Sequence, residues 1–109
     1  MGTRNVENGY TDTLDGVIVA LCKDFDRRAD TVKEGRCSRR TAMEYEYINR
    51  RLLDAVRELA GDDALIYIRE IGGRLGFAYS DIDGASESTY KKLKKEIKLN
   101  IAKKLHMID

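Results

Sequence analysis

The chain reads as all-α, a compact four-helix bundle with a candidate helix-turn-helix in its C-terminal half. Three observations predict this. Its 109 residues contain no proline and are rich in Leu, Ile, Lys, Arg and Glu, which favours helix. Apolar residues recur at spacings of three and four, the period of a helix with one buried face. Glycines stand where those runs stop, at Gly35, Gly61 and Gly76.

Positions 1–10 lack periodicity and read as a flexible tail; 11–109 read as one helical domain, with two long helices over 11–61 and the candidate reader over 62–109. The first helix is expected over Thr13–Lys33, with Leu14, Val17, Ile18, Leu21, Phe25, Ala29 and Val32 as its stripe. Thr11 or Thr13 can cap it, and Asp12 and Asp15 suit the positive end of its dipole. The second is expected over Arg39–Ala60, capped by Ser38 and stopped by Gly61, with Tyr45, Ile48, Leu52, Ala55, Val56 and Leu59 as its apolar face. At ~1.5 Å per residue it spans ~33 Å. Either it crosses the whole bundle or part of it meets another subunit. Tyr45 and Tyr47 point in different directions, so one of them is expected to stay partly exposed.

The third helix is expected from Asp62 or Asp63 to Leu75, stopped by Gly76, with Leu65, Ile68, Ile71, Gly72 and Leu75 inward. Each internal glycine costs ~1 kcal/mol relative to alanine, so Gly72 or Gly73 either admits a close neighbouring helix or marks a weak stretch. Residues 77–85 read as a loop under which Tyr79 and Ile82 can tuck. The last helix runs from Ser86 or Ser88 to about Leu105, burying Tyr90, Leu93, Ile97, Ile101 and Leu105.

Composition excludes several classes. No apolar run approaches the ~20 residues of a membrane span, and the short Val17–Leu21 run lacks the flanks of a signal peptide. Met1-Gly2 is not a myristoylation start, because Val6 stands where Ser or Thr is needed. A cytoplasmic location is the expectation. Cys22 and Cys37 lie far apart and His106 is the single histidine, so reduced thiols and a surface imidazole are expected, with no metal or other cofactor. Asp81-Ile82-Asp83-Gly84 suggests a calcium loop, but that register puts Tyr79 and Tyr90 at positions that need oxygen ligands. No nucleophile elbow, phosphate loop, metal helix or Cys-His pairing is present, so the chain does not read as an enzyme.

The net charge of +1 hides an asymmetry. Residues 36–60 carry six basic and four acidic groups, and residues 86–109 carry seven and three; the remaining segments are acidic. Placement of this kind matters more than the total for a polyanionic partner. With Tyr90 inward, Ser88, Lys91, Lys92 and Lys95 face out near the start of the last helix, where a recognition helix meets DNA. Ser86 and Thr89 can offer hydroxyls to phosphate, and Arg74 is close enough in sequence to join them. Arg36, Arg39 and Arg40 cluster at the positive end of the second helix, which suits an outside anion or pairing with Glu44. Lysines on an amphipathic helix also serve solubility alone. About nine residues separate Gly76 from Ser86, where a tight helix-turn-helix has three or four. The excess forms an extra turn, forms a wing, or removes the motif.

Ile71-Gly72-Gly73-Arg74-Leu75-Gly76-Phe77, Ser86-Glu87-Ser88-Thr89-Tyr90 and Ile101-Ala102-Lys103-Lys104-Leu105 carry a family resemblance. The stretch from Ile66 to Leu105 resembles phage-type helical transcriptional regulators of the late-gene activator kind, and the DNA-reading end of sigma-like factors. The resemblance implies duplex DNA bound by a homodimer, regulation of transcription and contact with the transcription machinery. Its site would comprise Arg74, Ser86, Ser88, Thr89, Lys91, Lys92 and Lys95, with Arg39 and Arg40. The alternative is a small helical interaction or dimerisation module without DNA. The first reading expects a continuous positive surface and lysines free of acidic neighbours; the second expects dispersed lysines and an exposed apolar patch on the second helix.

Overall fold

The computed structural model describes residues 9–108. Among them are five α-helices: α1 (Asp12–Lys23), α2 (Phe25–Lys33), α3 (Arg39–Ala60), α4 (Ala64–Gly72) and α5 (Glu87–Lys104). Short 3-10 turns cover Gly61–Asp63 and Phe77–Tyr79. The all-α class stands, and the four-helix count does not.

The difference lies in the first predicted helix, which breaks at Asp24 (φ −90°, ψ 2°). The buried Arg28 spans it. Its guanidinium donates to the Leu21 carbonyl and to Asn49 Oδ1 (2.7 Å), while Asn49 Nδ2 donates to the Phe25 carbonyl (3.1 Å). Side chains thus bond carbonyls on both sides of the break. The buried face shifts accordingly. Ile18, Val19, Cys22 and Phe25 are buried, whereas Val17 and Ala29 are exposed.

α3 matches its expected bounds. Ser38 Oγ accepts from the Thr41 amide (3.1 Å) and Gly61 follows at φ 56°. α4 is shorter than expected and stops at Gly72. Leu75 N donates to the Glu70 carbonyl (3.0 Å) and Arg74 N to that of Ile71 (3.1 Å), which closes the end with Arg74 at φ 55°. Arg74, not Gly76, is therefore the stop. Leu65 and Leu75 are exposed, and Ala64, Tyr67, Ile68, Glu70, Ile71 and Gly72 face inward. Gly72 does admit a neighbour: a Cβ there would lie 2.6 Å from Lys23 Cα and N, so the end of α1 crosses α4 backbone to backbone.

Ile18, Leu52, Val56, Ile68, Ile97 and Ile101 form the centre of the core, where α1, α3, α4 and α5 meet. Tyr90 stacks on Tyr67 at 5.7 Å and meets the Phe77 edge at 5.6 Å. Such pairs add ~0.5–1.5 kcal/mol each beyond burial. Ile82 tucks against this core, but Tyr79 stays exposed. The expected tail 1–10 lies almost wholly outside the described residues; its last residue, Tyr10, is buried and donates to Asp15 Oδ1 (2.7 Å). No described helix is long and apolar enough to cross a membrane.

Candidate functional site

The start of α5 is built by its cap. Ser86 Oγ accepts from the Thr89 amide (3.2 Å) and donates to Thr89 Oγ1 (3.0 Å). Ser86 is thus the cap, and Ser86, Ser88 and Thr89 all remain exposed. Tyr90 is buried as expected, which turns Lys91, Lys92 and Lys95 outward.

Four of the seven lysines of α5 are engaged within the chain. Lys91 Nζ pairs with Glu87 at 2.8 Å. Lys94 Nζ donates to the Leu75 carbonyl (2.7 Å) and lies 5.2 Å from the Tyr90 ring centre. Lys98 pairs with Asp15 at 2.9 Å and Lys104 with Glu58 at 3.0 Å. Lys92 and Lys95 have no ion pair among the described residues. Arg74 is brought toward this flank by the Lys94 bond to its neighbour Leu75. Burial opposes the Asp15 carboxylate, yet hydrogen bonds from Lys98 and Tyr10 and the charges of Lys98 and Arg74 hold its pKa below the ordinary value. Burial in turn lowers the Lys94 pKa, with Lys98 adding repulsion.

Arg39 and Arg40 sit on the first turn of α3. The contacts that lock α3 to α5 lie far along it: Asn100 Nδ2 donates to the Ala55 carbonyl (2.8 Å) and to Glu58 (2.9 Å). Ala55 is ~24 Å along the helix from Arg39.

The linker between α4 and α5 hangs on Glu70, which the sequence reading placed in no role. Its carboxylate is buried and accepts from Ser80 Oγ, the Asp81 amide and the Tyr90 hydroxyl, each at 2.7 Å. Burial works against the charged form, but these three donors outweigh it and lower the pKa. The available signal was its position, one turn after Tyr67 and beside Ile71. Such a fully satisfied knot fixes the start of α5; its carboxylate is screened from any substrate.

A different surface emerges on the first half of α3. Its only buried residues are Leu52, Ala55 and Val56, so no residue before Leu52 is buried. α2 covers one side, where Arg27 stands 5.3 Å from the Tyr45 ring. The opposite side is bare. Met43 is 64% exposed and Tyr47, one turn later, 53%. Arg51 lies 5.4 Å from the Tyr47 ring centre and its Nε donates to the Tyr47 hydroxyl (3.2 Å). Arg39, Arg40 and Arg50 are exposed beside them.

No family model, curated protein or solved structure matches this chain. The functional reading therefore rests on these two surfaces. Neither gathers catalytic groups, and no cluster of three His, Cys, Asp or Glu side chains that could hold a metal occurs among the described residues. Cys22 is buried, and burial pushes its pKa up to about 12, which makes it a poor nucleophile.

Proposed function

We propose that the protein is a helical interaction module whose contact element is the exposed side of the first half of α3. The observation that carries this reading is the pair Met43 and Tyr47, solvent-facing one turn apart and framed by Arg40, Arg50 and Arg51. Met, Tyr and Arg are the residue types enriched where proteins meet, and lysine is depleted there. The Arg51–Tyr47 contact also pre-orders two long side chains, which lowers the entropy lost on docking.

The test is photo-crosslinking in cells with a benzophenone amino acid at position 47 or, separately, at position 92. This reading expects protein adducts at 47. Nucleic-acid adducts at 92 with none at 47 would overturn it.

A second reading keeps the DNA-bound form, a phage-like transcriptional regulator acting through Ser88, Lys91, Lys92 and Lys95. The Lys94 bond to the Leu75 carbonyl, next to Arg74, favours it, because it brings the α5 flank to the end of α4. The Lys91–Glu87 pair does not preclude it: an exposed i,i+4 pair is worth ~0.3–0.5 kcal/mol, which a phosphate can displace. This reading expects salt-sensitive binding to random duplex DNA between ~50 and ~200 mM salt, weakened by Lys91→Ala with Lys92→Ala. No binding at the lower salt would remove it.

A further inference from the structure

Resting on the interaction reading, we infer that the partner of the α3 face is a second copy of this chain, with the two α3 helices antiparallel and Tyr47 of each on the two-fold axis. Arg40, Met43, Tyr47, Arg50 and Asp54 follow one another at steps of three, four, three and four. That is the spacing of a seam along which two helices pack. All five are exposed, although they lie on the longest helix of the fold.

The charges select the orientation. Arg40 and Asp54 each lie seven residues from Tyr47, on opposite sides of it. An antiparallel pair centred on Tyr47 therefore sets Arg40 against Asp54 of the second copy, and by symmetry Asp54 against its Arg40. Met43 and Arg50 lie four and three residues to either side on one flank, so the thioether meets the aliphatic stem of the facing Arg50. Glu44 lies on the same flank as Arg51 and takes its charge across the interface. Arg57 falls beyond the first residue of the facing helix. A parallel pair would instead set Arg40 on Arg40, Arg50 on Arg50 and Asp54 on Asp54, with like charges opposed throughout. The face is thus self-complementary in one direction only, as an isologous contact requires.

The side chains are available for this. Arg40 is 91% exposed and reaches its own Glu44 only at 3.8 Å. Asp54 makes no ion pair among the described residues. Neither residue contributes to the core, so both can be exchanged without disturbing the fold.

Light scattering of the whole chain at ~100 µM, a hundredfold above a 1 µM dissociation constant, tests the inference. A dimer is expected. Tyr47→Arg places two like charges on the axis and is expected to give a monomer with unchanged circular dichroism. Arg40→Asp sets two aspartates against each other at both ends and is expected to weaken the dimer at least ~10-fold. Adding Asp54→Arg to it restores opposite charges in the reversed sense and is expected to recover most of that loss. A wild-type monomer, a dimer indifferent to Tyr47→Arg, or a charge reversal that restores nothing would overturn the inference. Should a monomeric chain still crosslink another protein from position 47, the second copy is the wrong partner and the interaction reading stands. Should it crosslink nothing, both fail.

Discussion

The Tyr90 hydroxyl donates to the Glu70 carboxylate across 2.7 Å, at the joint where α5 leaves the linker. This bond ties the first turn of α5 to α4 although residues 73–86 separate the two helices. It also accounts for the position of the linker, because Glu70 receives Ser80 and the Asp81 amide in the same knot.

Tyr90→Phe keeps the stacked ring and removes one donor from a buried carboxylate. A cost of ~1–3 kcal/mol is expected in urea unfolding, without loss of helix by circular dichroism. Glu70→Gln should additionally free the linker, with faster proteolysis confined to residues 77–85.

The same knot predicts pH limits on both sides. Glu70 has a folded pKa below its ordinary 4.5, so its contribution is present above that value and is lost as acid carries the pH down through the folded pKa. Burial, with the hydrogen bond to Glu70, pushes Tyr90 from 10.0 up to about 12. Its contribution is complete below pH 10 and is lost as pH rises toward 12. Melting temperature against pH should fall at both ends, and Tyr90→Phe should remove the Tyr90 part of the alkaline fall while leaving acid loss in place.

Gly72→Ala should be among the costliest small substitutions in the chain. The added methyl would stand 2.6 Å from the Lys23 backbone, and neither helix can yield without moving the core. A loss of ~1–3 kcal/mol is expected from overpacking, measured by thermal unfolding. Gly76→Ala, where a Cβ meets open space, is the matched control and should be nearly neutral.

Arg74→Gly should act in the opposite direction. Arg74 holds φ 55° at the end of α4, a conformation that costs a side-chain-bearing residue ~1 kcal/mol or more and glycine little. A higher melting temperature is expected. If the variant also loses affinity for duplex DNA, Arg74 contributes to the second reading; unchanged behaviour would confine it to the helix stop.

These sites show which parts of the fold were legible. α3 and the start of α5 were readable because Ser38, Gly61 and Ser86 act locally, through hydrogen bonds within one turn. The close approach was legible only as one of two readings of Gly72 or Gly73, the other being a weak stretch, and the fold places it at Gly72. The break at Asp24 was not legible; the Arg28–Asn49 contact beside it joins two helices, and no local pattern encodes that contact. The end of α4 was misplaced because a glycine was expected in the left-handed position that an arginine occupies. At the candidate site, the Ser86 hydroxyl suits a phosphate and a cap equally well in sequence; in the fold it caps α5 and donates to Thr89 Oγ1. Tyr47 was legible only as one of a pair with Tyr45, and Met43 not at all, because periodicity locates the buried face of α3 and does not say what covers the other.

The most direct test of the account is amide NMR of the uniformly labelled chain, recorded on dilution from ~500 to ~20 µM in low salt. Concentration-dependent shifts should map to the exposed positions between Arg40 and Asp54 and leave α5 unmoved. Shifts absent throughout, or confined to the Lys91–Lys95 face of α5, would contradict the claim that α3 is the contact element.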